Sequence, residues 1–262
     1  MWLQADALEG TKHFRRLVEG AKRYFSAESE IARVYFQSST RTPRTDRRWL
    51  RRQCYKELWG SGVGHRELGL FLGPVMYLRE VFDQIDRGVD RHEVLSRIED
   101  LHTEFAHYCL FADIHDALGG PKLDPHRLHA WDADEKLARL RYACREKRRR
   151  VGEWAVRFTE GGGGSLYLAG MQLAGSGEIN DRIARACEQV HRDELGHMRA
   201  GYTELASQDL SAAEWTEIIH LVHEILLQRL HMRNEQFGQP VSDEWIRAIG
   251  IGEADPAPFD QS

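Results

Sequence analysis

Helical spacing of apolar residues runs through nearly the whole chain and constrains its fold more than any other feature. In the first segment Phe14, Leu17, Val18, Ala21 and Tyr24 recur every three or four residues, so they share one face of a helix. No segment shows the strict alternation of apolar and polar residues that a half-buried strand requires. The sequence therefore predicts an all-α fold.

Capping and turn residues divide this pattern into separate helices. Asp90 and Ser211 are residues of the N-cap type, each followed three residues later by a glutamate, so a helix is expected after each of them. Further helices are predicted at 49–59, at 65–85 with a bend at Gly73 and Pro74, from Asp132 to Glu160, and after the turn at 175–177. No linker or repeat interrupts the series. Residues 1–262 are thus predicted to form one domain, with a loosely held tail at 239–262.

Composition narrows the partners and the compartment. An apolar content of 42% is enough for a core, and the net charge of -5 argues against nucleic acid or an anionic membrane as a partner. The four cysteines form no C-x-x-C pair, and the N-terminus lacks a signal-peptide pattern. No apolar run approaches the roughly 20 residues of a spanning helix. The sequence therefore predicts a reduced, cytoplasmic protein.

Acidic and histidine residues occupy an inward-facing stripe in the segment "VHRDELGHM". Cys187, Val190, Glu194 and His197 follow one another at intervals of three, four and three residues. A buried carboxylate must be paired, protonated or bound to a metal. Because Glu-x-x-His places a carboxylate and an imidazole on neighbouring turns, the stripe indicates metal ligands.

The same step occurs at Glu104 and His107, but the bare pattern appears five times in the chain and decides nothing alone. In antiparallel neighbours, residues at one height lie equally far from the connecting turn, because both helices rise about 1.5 Å per residue. Glu160 and Glu194 mirror each other about residue 177, inside the "GSG" turn. Glu67 mirrors Glu104 about residues 85 and 86; Glu80 is the alternative on that helix.

This geometry predicts one glutamate from each of two helices and a Glu-x-x-His from each of two others. Such a set holds a pair of iron or manganese ions in carboxylate bundles. The alternative interpretation is a set of surface salt bridges. The predicted ligands are Glu67, Glu104, His107, Glu160, Glu194 and His197.

Taken in order, "TEFAH", "TEGGGG" and "RDELGH" resemble the motifs of the ferritin-like di-metal carboxylate proteins over about residues 64–206. The resemblance implies a ferritin-like four-helix bundle core with additional N- and C-terminal helices. "RDELGH" is similar to the second motif of ribonucleotide reductase small subunits and multicomponent monooxygenases, in which the aspartate, here Asp193, supports a metal-bound histidine. Thr103 departs from the monooxygenase pattern, and Phe111 stands where the reductase subunits carry a tyrosine.

With these ligands, the resemblance implies an oxidoreductase that activates O2 at two iron ions, or a manganese and an iron ion, to oxidise a small organic substrate. Glu160 and Glu194 would be its catalytic residues, and an external reductase would supply electrons because no flavin or nicotinamide motif is present. A homodimer is compatible with this function. A ferroxidase or iron-handling protein, and a non-catalytic helical interaction protein, remain as alternatives.

Three further features have two interpretations each. His191 is either an extra metal ligand or a hydrogen-bonding residue. The glycines at 161–164 either leave space beside Glu160 for O2 and substrate or form a loop. The basic run at 145–150 is either a solvated helix face or a docking patch for an acidic reductase.

Overall fold

The computed structural model describes residues 12–60, 72–160 and 164–257, without the side chains at 72–74, 160 and 197–200, and its named elements are all helical. The predicted all-α class is confirmed for this part of the chain. None of the described helices combines the length and apolar content needed to cross a membrane. The helices are α1 Lys12–Gln37, α2 Pro43–Trp59, α3 Leu72–Val81, α4 Arg91–Ala117, α5 Asp132–Glu160, α6 Gly164–Met171, α7 Glu178–Ala206, α8 Ala212–Gln236 and α9 Asp243–Ile251.

Helix α1 buries the apolar stripe predicted from its sequence. Phe14, Leu17 and Ala21 are at most 1% exposed, and α1 packs against α8 and α6. The ring of Phe14 meets that of Trp215 edge to face, with 6.3 Å between the ring centroids. Full burial of side chains of this size contributes about 1.5–3 kcal/mol each to the free energy of unfolding. The α1–α8 contact is therefore a main part of the hydrophobic core.

Four helices, α2, α4, α6 and α7, enclose a shared interior. Helix α2 packs on α4, α4 on α7, and α7 on α6. The last contact is close, because a Cβ atom at Gly170 would come within 2.3 Å of the sulfur of Cys187. A hydrogen bond of 3.1 Å between Gln53 on α2 and the hydroxyl of Tyr167 on α6 closes the ring. Helix α2 thus packs with these helices, although it precedes residues 64–206, the range over which the sequence predicted the core bundle.

Helix α5 bends sharply at Arg149, where the backbone has φ 46° and ψ -120°. In a straight helix, residues 18 apart would be separated by about 27 Å. The guanidinium of Arg141 nevertheless donates to the carbonyl of Thr159 at 3.3 Å. The halves 132–148 and 150–160 therefore fold back against each other, whereas the sequence predicted one uninterrupted helix.

The two predicted N-caps begin their helices as expected. The carboxylate of Asp90 accepts a hydrogen bond from the amide of His92 at 2.6 Å, at the start of α4. The hydroxyl of Ser211 accepts from the amide of Glu214 at 3.3 Å, and the Glu214 carboxylate accepts from the Ser211 amide at 2.8 Å. These exchanges satisfy amides that a helix start leaves without partners.

The C-terminal segment differs from the loosely held tail expected at 239–262. Residues Asp243–Ile251 form α9, which packs against α8 and α1. Ile246 and Ile249 are fully buried in that contact. Their spacing of three residues gives α9 an apolar face, which the acidic and Pro-rich residues after it obscured.

A buried ion cluster joins α1 to α8. The carboxylate of Glu28 accepts hydrogen bonds from the guanidiniums of Arg229 at 3.0 Å and Arg233 at 2.8 Å, and all three side chains are buried. Burial alone would raise the pKa of Glu28, but the two positive charges and their hydrogen bonds outweigh it and hold that pKa below its usual value. Glu28 is therefore ionised at neutral pH.

Candidate metal centre

Glu57 on α2 and Glu104 and His107 on α4 form a compact cluster of metal-ligating groups. One ligand atom from each of the three side chains lies within 4.8 Å of the other two. His107 is fully buried, Glu57 is 6% exposed, and Glu104 is half-buried. The Glu-x-x-His step places Glu104 and His107 on neighbouring turns of α4, and the packing of α2 on α4 adds Glu57.

The imidazole of His107 has one nitrogen engaged and the other directed into this cluster. Its Nε2 lies 3.0 Å from a carboxylate oxygen of Asp193 on α7. Its Nδ1 is buried without a hydrogen-bond partner among the described residues and lies 3.9 Å from Oε2 of Glu57. Because an ionised carboxylate can only accept a hydrogen bond, Nε2 must carry the proton, and we assign the tautomer with its lone pair on Nδ1. This lone pair could bind a metal ion.

Asp193 is held ionised beside His107. Burial raises the pKa of Asp193, but hydrogen bonds from His107 and from the amide of Gln189, at 2.9 Å, outweigh burial and leave the pKa below its usual value. The residue therefore lies beside a candidate ligand histidine, and the supporting role that the resemblance implied for it stays a prediction. The histidine it contacts lies on α4, across the helix interface.

Negative charge accumulates at the cluster from three helices. Burial, and then the charges of Glu57 on α2 and Glu194 on α7, raise the pKa of Glu104 to about 8. A cation placed among these carboxylates would relieve both the repulsion and the desolvation. Metal binding and proton binding at Glu104 are therefore in competition.

Glu57 is fixed by neutral hydrogen-bond donors rather than by a cation. The hydroxyl of Tyr167 donates to Oε1 of Glu57 at 3.1 Å, and the side-chain amide of Gln53 donates to the same oxygen. Burial, together with the charges of Glu57 and Glu194, raises the pKa of Tyr167 well above its usual value, so the phenol keeps its proton. Oε2 of Glu57 remains turned towards His107.

The predicted ligands divide into two groups. Glu104 and His107 lie together, and Glu194 is near enough for its charge to raise the pKa of Glu104. Glu67 lies outside the described residues, as do the side chains of Glu160 and His197, whose backbones belong to α5 and α7.

Two alternatives from the sequence have different surroundings. Glu80, the other candidate on the third helix, is exposed. His191 is half-buried, and its Nδ1 has no hydrogen-bond partner in the described part of the chain. The glycines at 161–163 lie outside the described residues, so both interpretations of them, as space for O2 and substrate or as a loop, stay predictions.

Glu57 is a candidate ligand that sequence reasoning missed, although a signal was present. Six of the eight buried residues of α2 follow one another at intervals of three, one, three, one and three residues and so share one helix face: Asp46, Trp49, Leu50, Gln53, Cys54 and Glu57. The same inward spacing singled out Glu194. The mirror relation holds for helices that one turn connects directly, whereas α3 separates α2 from α4.

Comparisons of this chain with protein-family models, with curated proteins and with solved structures gave no match. The resemblance to the ferritin-like proteins therefore stays a hypothesis based on sequence motifs.

Proposed function

We propose that this chain is an O2-dependent oxidoreductase that binds two iron ions, or a manganese and an iron ion, in a ferritin-like four-helix core and oxidises a small organic substrate. One observation carries the proposal. The buried imidazole of His107 is tied to Asp193 through Nε2, while its Nδ1, without a hydrogen-bond partner in the described part of the chain, faces Glu57. A buried nitrogen in that position is costly unless a ligand occupies it.

The donor atoms available at the cluster support iron or manganese. Carboxylate oxygens and a neutral imidazole nitrogen suit these ions. Two thiols are close enough to Glu57 to feel its charge, but burial and that charge raise the pKa of Cys54 and Cys187 well above the usual value. Both thiols stay protonated and leave oxygen and nitrogen as the donors.

We assign Glu57, Glu104 and His107 as ligands because they form one cluster, and we add Glu194, Glu160 and His197 from the sequence. In this assignment Glu57 replaces the glutamate that the sequence predicted on the third helix, because Glu57 lies against Glu104 and His107. One carboxylate from α2 and one from the end of α5, just before α6, would then surround the centre together with a Glu-x-x-His from each of α4 and α7.

The protein's own residues hold the ligands and keep the site dry. When bound, the two metal ions would supply electrons to O2 for oxidation of the substrate, and an external reductase would restore those electrons. Asp193 orients His107, while Tyr167 and Gln53 orient Glu57. The ring of Phe111, fully buried, stacks on Tyr167 with 6.4 Å between centroids and excludes water from that side.

The test is an anaerobic Fe(II) titration of the full chain, followed by measured O2 consumption. We expect about two iron ions per chain and rapid O2 uptake. The variant His107→Ala should lose metal and O2 uptake. Glu99→Gln combined with His102→Ala is the matched control, because it removes the same Glu-x-x-His pattern from exposed positions of α4.

Wild-type protein without tightly bound metal would overturn the proposal, as would equal losses in the two variants. Iron uptake into a large multi-subunit shell would instead favour the ferroxidase alternative, which native size measurement detects.

A further inference from the structure

A stripe of arginines lies along the outer face of α2. Arg44, Arg47, Arg48 and Arg51 follow the helical spacing of three, one and three residues, so their side chains project from one side. Trp49 and the other buried residues of α2 lie on the opposite side of the helix. The stripe therefore accompanies the helix that carries Glu57 but faces away from it.

This stripe forms one wall of a cavity of about 320 Å³, whose other wall is the segment between α4 and α5. Leu128 and His129 of that segment line the cavity. A cavity of this volume is at the small end of the range for small-molecule sites. The arginines that line it are Arg44, Arg47, Arg48, Arg51, Arg52 and Arg127.

Few acidic groups neutralise these arginines. In residues 12–60, 72–160 and 164–257, no carboxylate lies within ion-pair distance of Arg44, Arg47, Arg48 or Arg51. The other two each have one acidic partner: Arg52 lies 3.7 Å from Glu235, and Arg127 lies 3.9 Å from Asp124. The cavity thus keeps most of its positive charge.

Neutral carbonyl groups position part of the set without cancelling its charge. Arg47 donates to the carbonyl of Pro121, and Arg51 donates to the carbonyl of Arg127 at 3.1 Å. A second guanidinium nitrogen of Arg47, Nη1, is buried with no hydrogen-bond partner among the described residues. Oriented donors with unsatisfied charge are the features that an anion site requires.

The basic run at 145–150 on α5 is the informative contrast. Three of its four arginines have acidic partners: Arg145 with Glu153 at 2.9 Å, Arg148 with Glu217 at 3.2 Å, and Arg150 with Glu214 at 4.0 Å. Positive charge on α5 is therefore largely balanced within the chain. The charge left for a ligand is on α2.

We propose that the α2 cavity binds a small anion that carries two or more phosphate groups. Planar guanidiniums pair with phosphate oxygens through two hydrogen bonds at a time, and several of them converge here on one concave space. Arg44 and Arg51 are about 10 Å apart along the helix, so they reach different phosphates of one ligand. The net charge of -5 and the cavity's small volume disfavour a nucleic acid. This proposal is independent of the metal centre.

Isothermal titration of the full chain with sodium tripolyphosphate tests it, in chelator-treated buffer of low salt so that metal does not compete for the probe. We expect one site per chain. Arg44→Gln with Arg48→Gln should weaken binding by about tenfold or more without altering the helical content, because both side chains are exposed. The control, Arg148→Gln with Arg150→Gln, removes the same charge from α5 and should bind as the wild type does.

A second titration with ATP distinguishes the two sources of this chemistry. Tighter binding of ATP than of tripolyphosphate would support a nucleotide, and equal binding would support the phosphate chain itself. No binding of tripolyphosphate at about 1 mM would overturn the proposal. Equal weakening in both double variants, or binding of a single-stranded oligonucleotide without binding of tripolyphosphate, would overturn it as well.

Discussion

His107 shows how one carboxylate decides the chemistry of a neighbouring imidazole. Asp193 accepts a hydrogen bond from Nε2–H, and this leaves the lone pair of Nδ1 facing Glu57. An imidazole with the opposite tautomer would present N–H to the cluster and repel a cation. In the proposed metal centre, Asp193 would therefore control metal binding from the far side of the ring.

Replacement of Asp193 by asparagine tests how much its charge, as distinct from its size, contributes to metal affinity. Asp193→Asn keeps the shape, but an amide can donate to Nε2 and move the imidazole proton to Nδ1. We expect Mn(II) affinity to fall by about 10- to 100-fold, as measured by titration calorimetry. Glu188→Gln, an exposed charge removal on the same helix, serves as the control and should leave the affinity unchanged. Unchanged affinity in Asp193→Asn would exclude the tautomer assignment.

Local spacing was enough to place some of the site's residues and not others. Glu104 and His107 lie on one helix, so their proximity follows from the Glu-x-x-His step alone. Glu57 comes from a helix two elements earlier, and its distance to Glu104 depends on how α2 packs on α4. That packing is set by many apolar contacts at once, and sequence spacing does not encode it.

At the level of the helix, starts were predictable and the bend in α5 was not. An N-cap depends on residues within three positions of each other, as at Ser211 and Glu214. The bend at Arg149 has neither glycine nor proline at its centre. Helix α8 holds both halves of α5, because Gln228 donates to the carbonyl of Ala133 and Arg229 donates to that of Thr159. The bend is thus a tertiary effect.

Arg149 should store backbone strain that glycine relieves. Its φ of 46° with ψ of -120° lies in a region that side chains with a Cβ atom disfavour. Arg149→Gly should raise the free energy of unfolding by about 1 kcal/mol, less the entropy that glycine adds to the unfolded chain. Urea denaturation measures the change.

The matched variant Arg149→Ala removes the same side chain but keeps Cβ, so it should give no such gain. The bend also needs a small residue nearby, since a Cβ atom at Gly152 would come within 1.9 Å of the Cys144 carbonyl oxygen. Equal stability of the Gly and Ala variants at 149 would argue against a strained backbone there.

Across the whole molecule, polar groups connect the core to the candidate metal centre. Arg233, beside Glu28, donates to Gln236, whose amide donates to Gln53 at 2.8 Å; Gln53 in turn donates to Glu57. These partners come from α1, α2 and α8, up to 205 residues apart in sequence. Spacing along the chain carries no information about such pairs, and the sequence therefore did not predict this network.

Glu28 should be a major contributor to stability at neutral pH. Glu28→Gln would leave two buried guanidiniums without their carboxylate, which costs about 3–5 kcal/mol of unfolding free energy. Glu19→Gln, on an exposed face of the same helix, is the control and should have little effect. Urea denaturation at pH 7 measures both variants.

The pH dependence of that difference identifies its electrostatic origin. The pKa of Glu28 lies below its ordinary value of 4.5 in the folded protein, so its stabilising contribution is complete above pH 4.5 and is lost as pH falls through the folded pKa. Wild type and Glu28→Gln should therefore differ by a constant amount between pH 6 and pH 7, and the gap should narrow below pH 4.5. A gap that persisted unchanged into acid would assign the loss to packing, because a neutral side chain has no proton to gain.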